Sequence, residues 1–203
     1  MAEAEGPQTY LVTPPEFDLD QFPDRLARVL DGWEVACLRL AMAGKDVDRI
    51  ARAADALREV AHARDVAIVV AEHGGLVERL GLDGVHLADG SRQVRALRKT
   101  LGPDAIVGSH CRASRHDGMS AGEAGADYVA FGPVVATELG SGEVAETELF
   151  AWWSELIEVP VVAEGGLTPE LVQQLSPVTD FFAVGEEIWR EEDPLAALGR
   201  LLG

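Results

Sequence analysis

The chain has 203 residues, of which 47% are hydrophobic, and 17 Lys and Arg against 35 Asp and Glu give a net charge of −18. A chain of this length buries one sizeable core, so we expect a single domain spanning residues 1–203. The negative charge repels nucleic acids and anionic membranes, so neither is an expected partner, whereas a small molecule remains one.

The N-terminal sequence and the cysteines predict the compartment. The first ten residues, MAEAEGPQTY, lack the basic start and apolar segment of a secretory signal, and no apolar run approaches the roughly 18 residues of a membrane span. Cys37 and Cys111 are the only cysteines and have no metal-ligand spacing, which is typical of a reducing environment. We expect a cytoplasmic protein, neither exported nor embedded in a membrane.

Short apolar segments alternate with longer amphipathic ones along the chain. The predicted strands are 9–14, 35–41, 66–72, 83–89, 105–110, 128–134, 159–166 and 181–187. The predicted helices are 18–31, 46–65, 91–101, 148–157, 168–176 and 193–202, with weaker patterns at 74–81 and 114–124. Asp46 and Asp193 are expected to cap two of these helices. Continuously apolar strands indicate a parallel sheet covered on both faces, which predicts a (β/α)₈ TIM barrel, with a doubly wound open sheet as the alternative.

In such a barrel, ligands bind where the strands end. The polar residues and glycines at these positions are Thr13, Arg39, Glu72, His86, Asp89, His110, Thr137, Glu164, Gly165, Gly166 and Glu186. These residues form the candidate site.

Acidic residues and a histidine suggest acid–base or metal chemistry. Glu72, Asp89, Glu164 and Glu186 follow four different strands, and with His110 they suit a divalent metal or a cationic organic ligand. Solvated acids at loop starts are the alternative. His110 is the best candidate for a general acid or base, because histidine changes charge near neutral pH and a strand end points it into the mouth. A partly exposed terminal histidine is the alternative.

The glycines and the arginine each allow two interpretations. Gly165 and Gly166 leave backbone N–H groups free for an anion such as phosphate, or they form only a tight turn. Glu164 opposes an anion there, because two like charges about 4 Å apart cost about 4 kcal/mol at an effective dielectric of 20. Arg39 lies on an apolar strand, so it either forms a buried salt bridge, with Glu72 as the expected partner, or contacts a substrate.

Other residues are weaker candidates. His116 is a second possible acid or base, and Cys111 is a nucleophile or a small apolar filler. Trp152, Trp153 and Trp189 either line a surface patch for a second subunit in a homo-oligomer or pack helices together.

The ordered motifs YLVT, DGVHLAD, GADYVAFGPVVAT, VPVVAEGGLT and DFFAVGEEI cover nearly the whole chain. In order and spacing they resemble the thiamine phosphate synthase and TenI superfamily of barrels. In that family the synthase joins a pyrimidine pyrophosphate to a thiazole phosphate with Mg²⁺, and the TenI branch tautomerises the thiazole. The resemblance implies ligand contacts for Arg39, Thr137, Gly165 and Gly166; as an alternative, Thr137 caps a turn. His86 belongs to the family pattern, and it either contacts the substrate or only orients neighbouring groups through its ring nitrogens.

Several family positions differ in this chain. Leu139 and Gly140 replace a threonine and a lysine, and Ser91 lies where an aspartate helps to hold Mg²⁺, although Asp89 is close enough to substitute. Glu186 replaces a serine expected to bind the thiazole phosphate. The expected function is a divergent thiamine-phosphate-synthase-like transferase or a TenI-like tautomerase of thiamine biosynthesis with a degenerate active site. The alternative is a non-catalytic binding or regulatory paralogue whose acidic mouth takes a metal or a cationic metabolite.

Overall fold

A computed structural model of the protein describes residues 6–136 and 143–203. The strands are β1 (Gln8–Val12), β2 (Cys37–Leu40), β3 (Ala67–Ala71), β4 (Gly84–Leu87), β5 (Ile106–His110), β6 (Tyr128–Phe131), β7 (Val161–Glu164) and β8 (Phe181–Val184). The helices are α1 (Phe22–Gly32), α2 (Val47–His62), α3 (Leu76–Leu80), α4 (Val94–Leu101), α5 (Arg115–Ala124), α6 (Thr147–Leu156), α7 (Pro169–Leu175), α8 (Glu186–Trp189) and α9 (Pro194–Leu202), with a 3₁₀ turn at Ser176–Val178.

The sheet closes on itself because β1 pairs with both β2 and β8. Tyr10 lies opposite Cys37 on one side and opposite Ala183 on the other. All eight strand pairings are parallel. The predicted (β/α)₈ barrel is therefore confirmed, and the open doubly wound sheet is wrong.

Each strand buries both of its faces. Leu11 and Leu38 point outward into the large core beneath the helices, whereas Tyr10 and Cys37 point inward into a smaller core inside the barrel. Successive side chains of a strand point to opposite faces, so a strand between two apolar layers needs apolar residues at nearly every position. This arrangement explains the continuous apolar runs in the sequence.

A glycine makes room for the aromatic residues inside the barrel. Gly108 on β5 lies against Tyr128 on β6, and a Cβ atom on Gly108 would lie 1.9 Å from Tyr128 Cζ. Tyr128 packs edge-to-face against Tyr10 with 5.7 Å between ring centroids. The two tyrosines fill the barrel interior because β5 has no side chain at this point.

The predicted helix caps are confirmed. The Asp46 side chain accepts hydrogen bonds from the backbone N–H groups of residues 48 and 49, and Asp193 accepts one from Ala196. Ser114 and Thr168 cap α5 and α7 in the same way. The longest helix, α2, has 16 residues. No helix within residues 6–136 and 143–203 is long and apolar enough to cross a membrane.

Most element boundaries differ from the sequence prediction by one to a few residues, and two of these differences have a clear cause. The first helix begins at Phe22 rather than at 18, because Asp18 accepts backbone bonds from Asp20, Gln21 and Phe22 in a turn that precedes it. The last strand ends at Val184 rather than at 187. Gly185 turns the backbone there, and residues 186–189 form α8 with Ile188 and Trp189 buried. A helix of four residues is too short to show a helical period in the sequence, so the prediction extended the strand instead.

The tryptophans favour the packing interpretation. Trp153 is buried, and its indole donates to the carbonyl of Val159. Trp189 is also buried and donates to the carbonyl of Val12. Trp152 is partly buried beneath the guanidinium of Arg115. The surface patch predicted from these residues is therefore wrong for Trp153 and Trp189, because helix packing already covers both rings.

Candidate active site

A pocket of about 640 Å³ opens at the carboxyl ends of the strands, the end at which the sequence analysis places the ligand site. It brings together six of the predicted residues, Arg39, His110, Glu164, Gly165, Gly166 and Glu186. Glu72, His86 and Asp89 do not line it. Thr137, like Leu139 and Gly140, lies outside the described residues.

A buried salt bridge crosses the floor of the pocket. Arg39 on β2 donates from Nη2 to Glu164 Oε2 on β7 at 2.7 Å, and the two side chains are only 10% and 16% exposed. Burial by itself raises the pKa of Glu164, but the charge of Arg39 and the nearby His110 outweigh burial and lower this pKa well below its usual 4.5. Glu164 therefore carries a charge at neutral pH that Arg39 neutralises.

The predicted pairing of Arg39 with Glu72 is wrong. Glu72 follows β3, which ends at Ala71, and its φ of 64° lies in the left-handed region, so the alternation of the strand does not extend to it. Its carboxylate accepts a hydrogen bond from the backbone N–H of Ala88, just after β4. Arg39 pairs with Glu164 instead.

A chain of hydrogen bonds continues from Arg39 into the barrel. Nη1 of Arg39 lies 2.6 Å from His86 Nε2, and His86 Nδ1 lies 2.9 Å from the Tyr128 hydroxyl. The Tyr128 hydroxyl lies 2.6 Å from that of Tyr10. Arginine only donates, so His86 Nε2 accepts and Nδ1 carries the proton. Burial, followed by the charge of Arg39, lowers the pKa of His86. His86 is therefore neutral and orients Arg39, one of the two roles considered for it.

His110 lies beside the carboxylate that Arg39 also binds. Its Nδ1 lies 2.8 Å from Glu164 Oε1, although the two atoms do not meet the geometry of a hydrogen bond. Such contacts commonly tighten when a ligand binds. The His110 side chain is 20% exposed and lines the pocket, so a ligand can reach it. This position suits a general acid or base held by Glu164.

The glycine turn after β7 binds an anionic group of the chain itself. Gly165 and Gly166 have φ values of 84° and 85°, and a Cβ atom on Gly166 would lie 2.2 Å from a methyl group of Val135. Glu187 Oε1 accepts from the N–H of Gly166 at 3.1 Å and of Leu167 at 3.3 Å.

The other oxygen of this carboxylate, Oε2, accepts from the N–H of Gly185 at 3.0 Å. The negative charge of Glu164 had argued against an anion at the glycine turn. In the structure the carboxylate of Glu164 binds Arg39, and the carboxylate of Glu187 accepts from the N–H groups of the turn. The sequence analysis missed Glu187. The signal that could have found it is its place just after β8, the strand that neighbours β7.

The predicted metal ligands follow the neighbouring strands β3 and β4 but do not form a cluster. Asp89 Oδ2 accepts from Gln93 Nε2 at 3.2 Å, while the buried Oδ1 has no partner among the described residues. Within residues 6–136 and 143–203, no group of three or more His, Cys, Asp or Glu side chains is arranged to hold a metal ion. A metal at Asp89 and Glu72 would therefore need further ligands from water or substrate.

Two other strand-end residues have structural roles. Thr13 is buried, and its hydroxyl accepts a hydrogen bond from the backbone N–H of Ala41. Cys111 is fully buried, and burial raises the pKa of its thiol to about 11. A protonated, inaccessible thiol is a poor nucleophile, so Cys111 is the small apolar filler of the two interpretations.

Comparison with known proteins identifies the family. A family model described as thiamine monophosphate synthase matches residues 9–188. A thiamine-phosphate synthase of Rhodospirillum centenum is 43% identical over 194 residues, which cover 93% of each chain. One of Erythrobacter litoralis is 40% identical over 203 residues, which cover 97% of this chain and 95% of the relative. The chain belongs to the thiamine monophosphate synthase family.

A solved structure of another protein has the same fold. Thiamine phosphate pyrophosphorylase from Pyrococcus furiosus superposes with a TM-score of 0.80, covering 96% of this chain and 93% of that one at 22% identity. The family match and the two relatives confirm the resemblance noted from the sequence motifs. Arg39, Gly165 and Gly166, for which the motifs implied ligand contacts, all line the pocket.

Proposed function

We propose that the protein acts in thiamine biosynthesis as a synthase of the thiamine-phosphate synthase type, joining a pyrimidine pyrophosphate to a thiazole with release of pyrophosphate. The observation that carries this proposal is the 40–43% identity, over more than nine-tenths of the chain, to relatives of that name. The pocket of about 640 Å³ at the barrel mouth has the size of a small-molecule site.

The proposed reaction forms one bond and breaks another. The thiazole nitrogen supplies its lone pair to the pyrimidine-bearing carbon, and the bond from that carbon to the pyrophosphate oxygen breaks. The pyrophosphate leaves with that electron pair. Its departure develops negative charge, which positive groups must stabilise. Arg39 is already neutralised by Glu164, so it positions the site more than it supplies net charge.

Asp89 and Glu72 fit a Mg²⁺ ion bound partly by substrate. Mg²⁺ prefers carboxylate oxygens and usually keeps several water or phosphate ligands, and the unpartnered Asp89 Oδ1 is such an oxygen. Bound there, the ion would offset the charge of the leaving pyrophosphate. Replacing Asp89 by Asn should raise the Mg²⁺ concentration needed for half-maximal turnover, whereas Asp104→Asn at an exposed site should not.

A thiazole tautomerase is the second candidate, and the contact between His110 and Glu164 favours it. A tautomerase moves a proton between two positions of one ring, which requires an acid–base group and no leaving group. His110 reaches the pocket, and Glu164 lies 2.8 Å from its Nδ1. A non-catalytic binding protein would use the same pocket without turnover.

The deciding experiment measures both activities on the purified protein. One reaction contains the pyrimidine pyrophosphate, Mg²⁺ and the thiazole, either as its phosphate or as its free alcohol, and its product is oxidised to the fluorescent form and quantified by chromatography. A second reaction follows interconversion of thiazole tautomers by proton NMR. Product in the first supports the synthase, and conversion only in the second supports the tautomerase. We still predict that the replaced family positions lower turnover, and the measured rate tests this prediction.

Variants test the role of His110. We expect His110→Gln to lower the rate of a proton-transfer step by about 10²–10⁴-fold. His116→Gln, at an exposed residue outside the pocket, is the matched control and should leave the rate unchanged. An unchanged rate in His110→Gln would show that His110 is not catalytic. Binding of the thiazole without either activity would support the non-catalytic alternative.

A further inference from the structure

Three backbone N–H groups at the pocket wall converge on the carboxylate of Glu187. Two belong to Gly166 and Leu167 in the loop after β7, and the third belongs to Gly185 after β8. We call these three groups the amide nest. Gly165 and Gly166 hold it in a left-handed conformation that side chains disfavour, so its shape is set by the backbone.

The amide nest has the geometry of an anion site, and Glu187 already occupies it. Each backbone N–H has one proton to donate, so a phosphate bound here would compete with Glu187 for the same donors. The pocket wall also contains Glu186, which adds negative charge close by. Arg190 compensates little, because its side chain is 67% exposed and lies 3.9 Å from Glu191.

We propose that Glu187 makes this end of the pocket specific for an uncharged hydroxyl group instead of a phosphate. If the protein handles a thiazole, as proposed above, the thiazole binds as its free alcohol. Like charges exclude a phosphate monoester from the occupied nest. A hydroxyl instead donates to a carboxylate, whose two oxygens have about four acceptor positions, three of which the nest fills. The carboxylate of Glu187 thus converts a site for anions into a site for an alcohol.

A binding experiment tests this specificity directly. Calorimetric titration compares the thiazole alcohol and its phosphate on the wild type, Glu187→Ala and Glu186→Ala. The wild type should bind the alcohol about tenfold to hundredfold more tightly than the phosphate, the range that corresponds to one charged hydrogen bond. Glu187→Ala should prefer the phosphate, because the nest is freed. Glu186→Ala removes the same charge from the same wall without opening the nest, so it should still prefer the alcohol, although by a smaller margin than the wild type.

Three results would overturn the proposal. A wild type that binds the phosphate at least as tightly as the alcohol would show that Glu187 does not exclude anions. Equal changes in Glu186→Ala and Glu187→Ala would show that only net charge matters. Failure of the wild type to bind either thiazole would show that the ligand class is wrong.

Anion rescue keeps the test decisive if Glu187→Ala is unstable. The three freed N–H groups should destabilise this variant, and acetate or inorganic phosphate should restore its melting temperature by filling the nest. Sodium chloride at matched ionic strength controls for general screening of the acidic protein, and Glu186→Ala should show no anion-specific gain. No gain in Glu187→Ala beyond the chloride control would show that the nest does not bind anions and would overturn the proposal.

Turnover separates this proposal from the proposed function. With the pyrimidine pyrophosphate and Mg²⁺, the wild type should convert the alcohol faster than the phosphate, and its product should be thiamine without phosphate. Faster conversion of the phosphate would overturn the specificity and leave the synthase standing. Absence of product from both would overturn the synthase, while the titrations and the anion rescue would still decide what Glu187 does.

Discussion

Replacing Glu164 by Gln tests how strongly the buried pair holds the floor of the pocket. The variant keeps the size of the side chain but leaves Arg39 without a counter-ion in a site where its side chain is 10% exposed. At an effective dielectric of 20, two unit charges about 4 Å apart attract by about 4 kcal/mol. Removing one partner of a buried pair costs about 3–5 kcal/mol. The amide oxygen of Gln still accepts one hydrogen bond, so we expect a loss of about 3 kcal/mol.

Urea unfolding followed by tryptophan fluorescence measures this loss. With a slope of about 1–3 kcal/mol per molar urea, the midpoint should fall by about 1 M or more. Glu78→Gln, at an exposed residue that forms no ion pair within residues 6–136 and 143–203, is the matched control and should stay within about 0.5 kcal/mol of the wild type.

The pH dependence gives an independent check of the same pair. Because the folded-state pKa of Glu164 lies below its usual 4.5, the pair stabilises the protein above about pH 4.5. This stability is lost as the pH falls below that value. The difference between wild type and Glu164→Gln should therefore be largest at neutral pH and shrink in acid. An unchanged urea midpoint at pH 7, or a difference that grows in acid, would refute the assigned role of the Arg39–Glu164 pair.

Three further predictions concern folding. Burial and the charge of Arg39 lower the pKa of His86 in the folded protein, so the unfolded chain binds a proton at this residue at a higher pH than the folded protein does. Below pH 6.5, His86 should therefore lower the free energy of unfolding of the wild type by about 1.4 kcal/mol per pH unit. Between pH 6.5 and 5, the free energy of unfolding should fall less in His86→Gln than in His116→Gln. Equal shifts of the urea midpoint in the two variants would contradict this prediction. Gly108→Ala should lower the free energy of unfolding in urea by about 1–3 kcal/mol, because its Cβ atom would meet a tyrosine ring. Gly75→Ala should cause no such loss, because a Cβ atom there would have no neighbour within 4 Å. Asp46→Ala should cost about 1 kcal/mol through loss of the cap on α2, and an unchanged midpoint would show that the cap contributes nothing.

The sequence was sufficient for the architecture because hydrophobic periodicity is a local property. Eight apolar runs separated by amphipathic segments predicted the barrel, and Asp46 and Asp193 marked two helix starts. The strand ends then identified Arg39, His110 and Glu164 as residues of one pocket, since parallel strands of a barrel end on the same side.

The tertiary structure decided which charges meet inside that pocket. Arg39 pairs with Glu164 across the barrel, whereas the carboxylate of Glu72 accepts from the backbone N–H of Ala88. Glu187 fills the amide nest although 20 or more residues separate it from Gly166 and Leu167 in the chain. Sequence patterns report the face on which a side chain lies, whereas a salt bridge or a filled nest depends on distances between residues remote in sequence. Those distances are fixed only when the sheet closes.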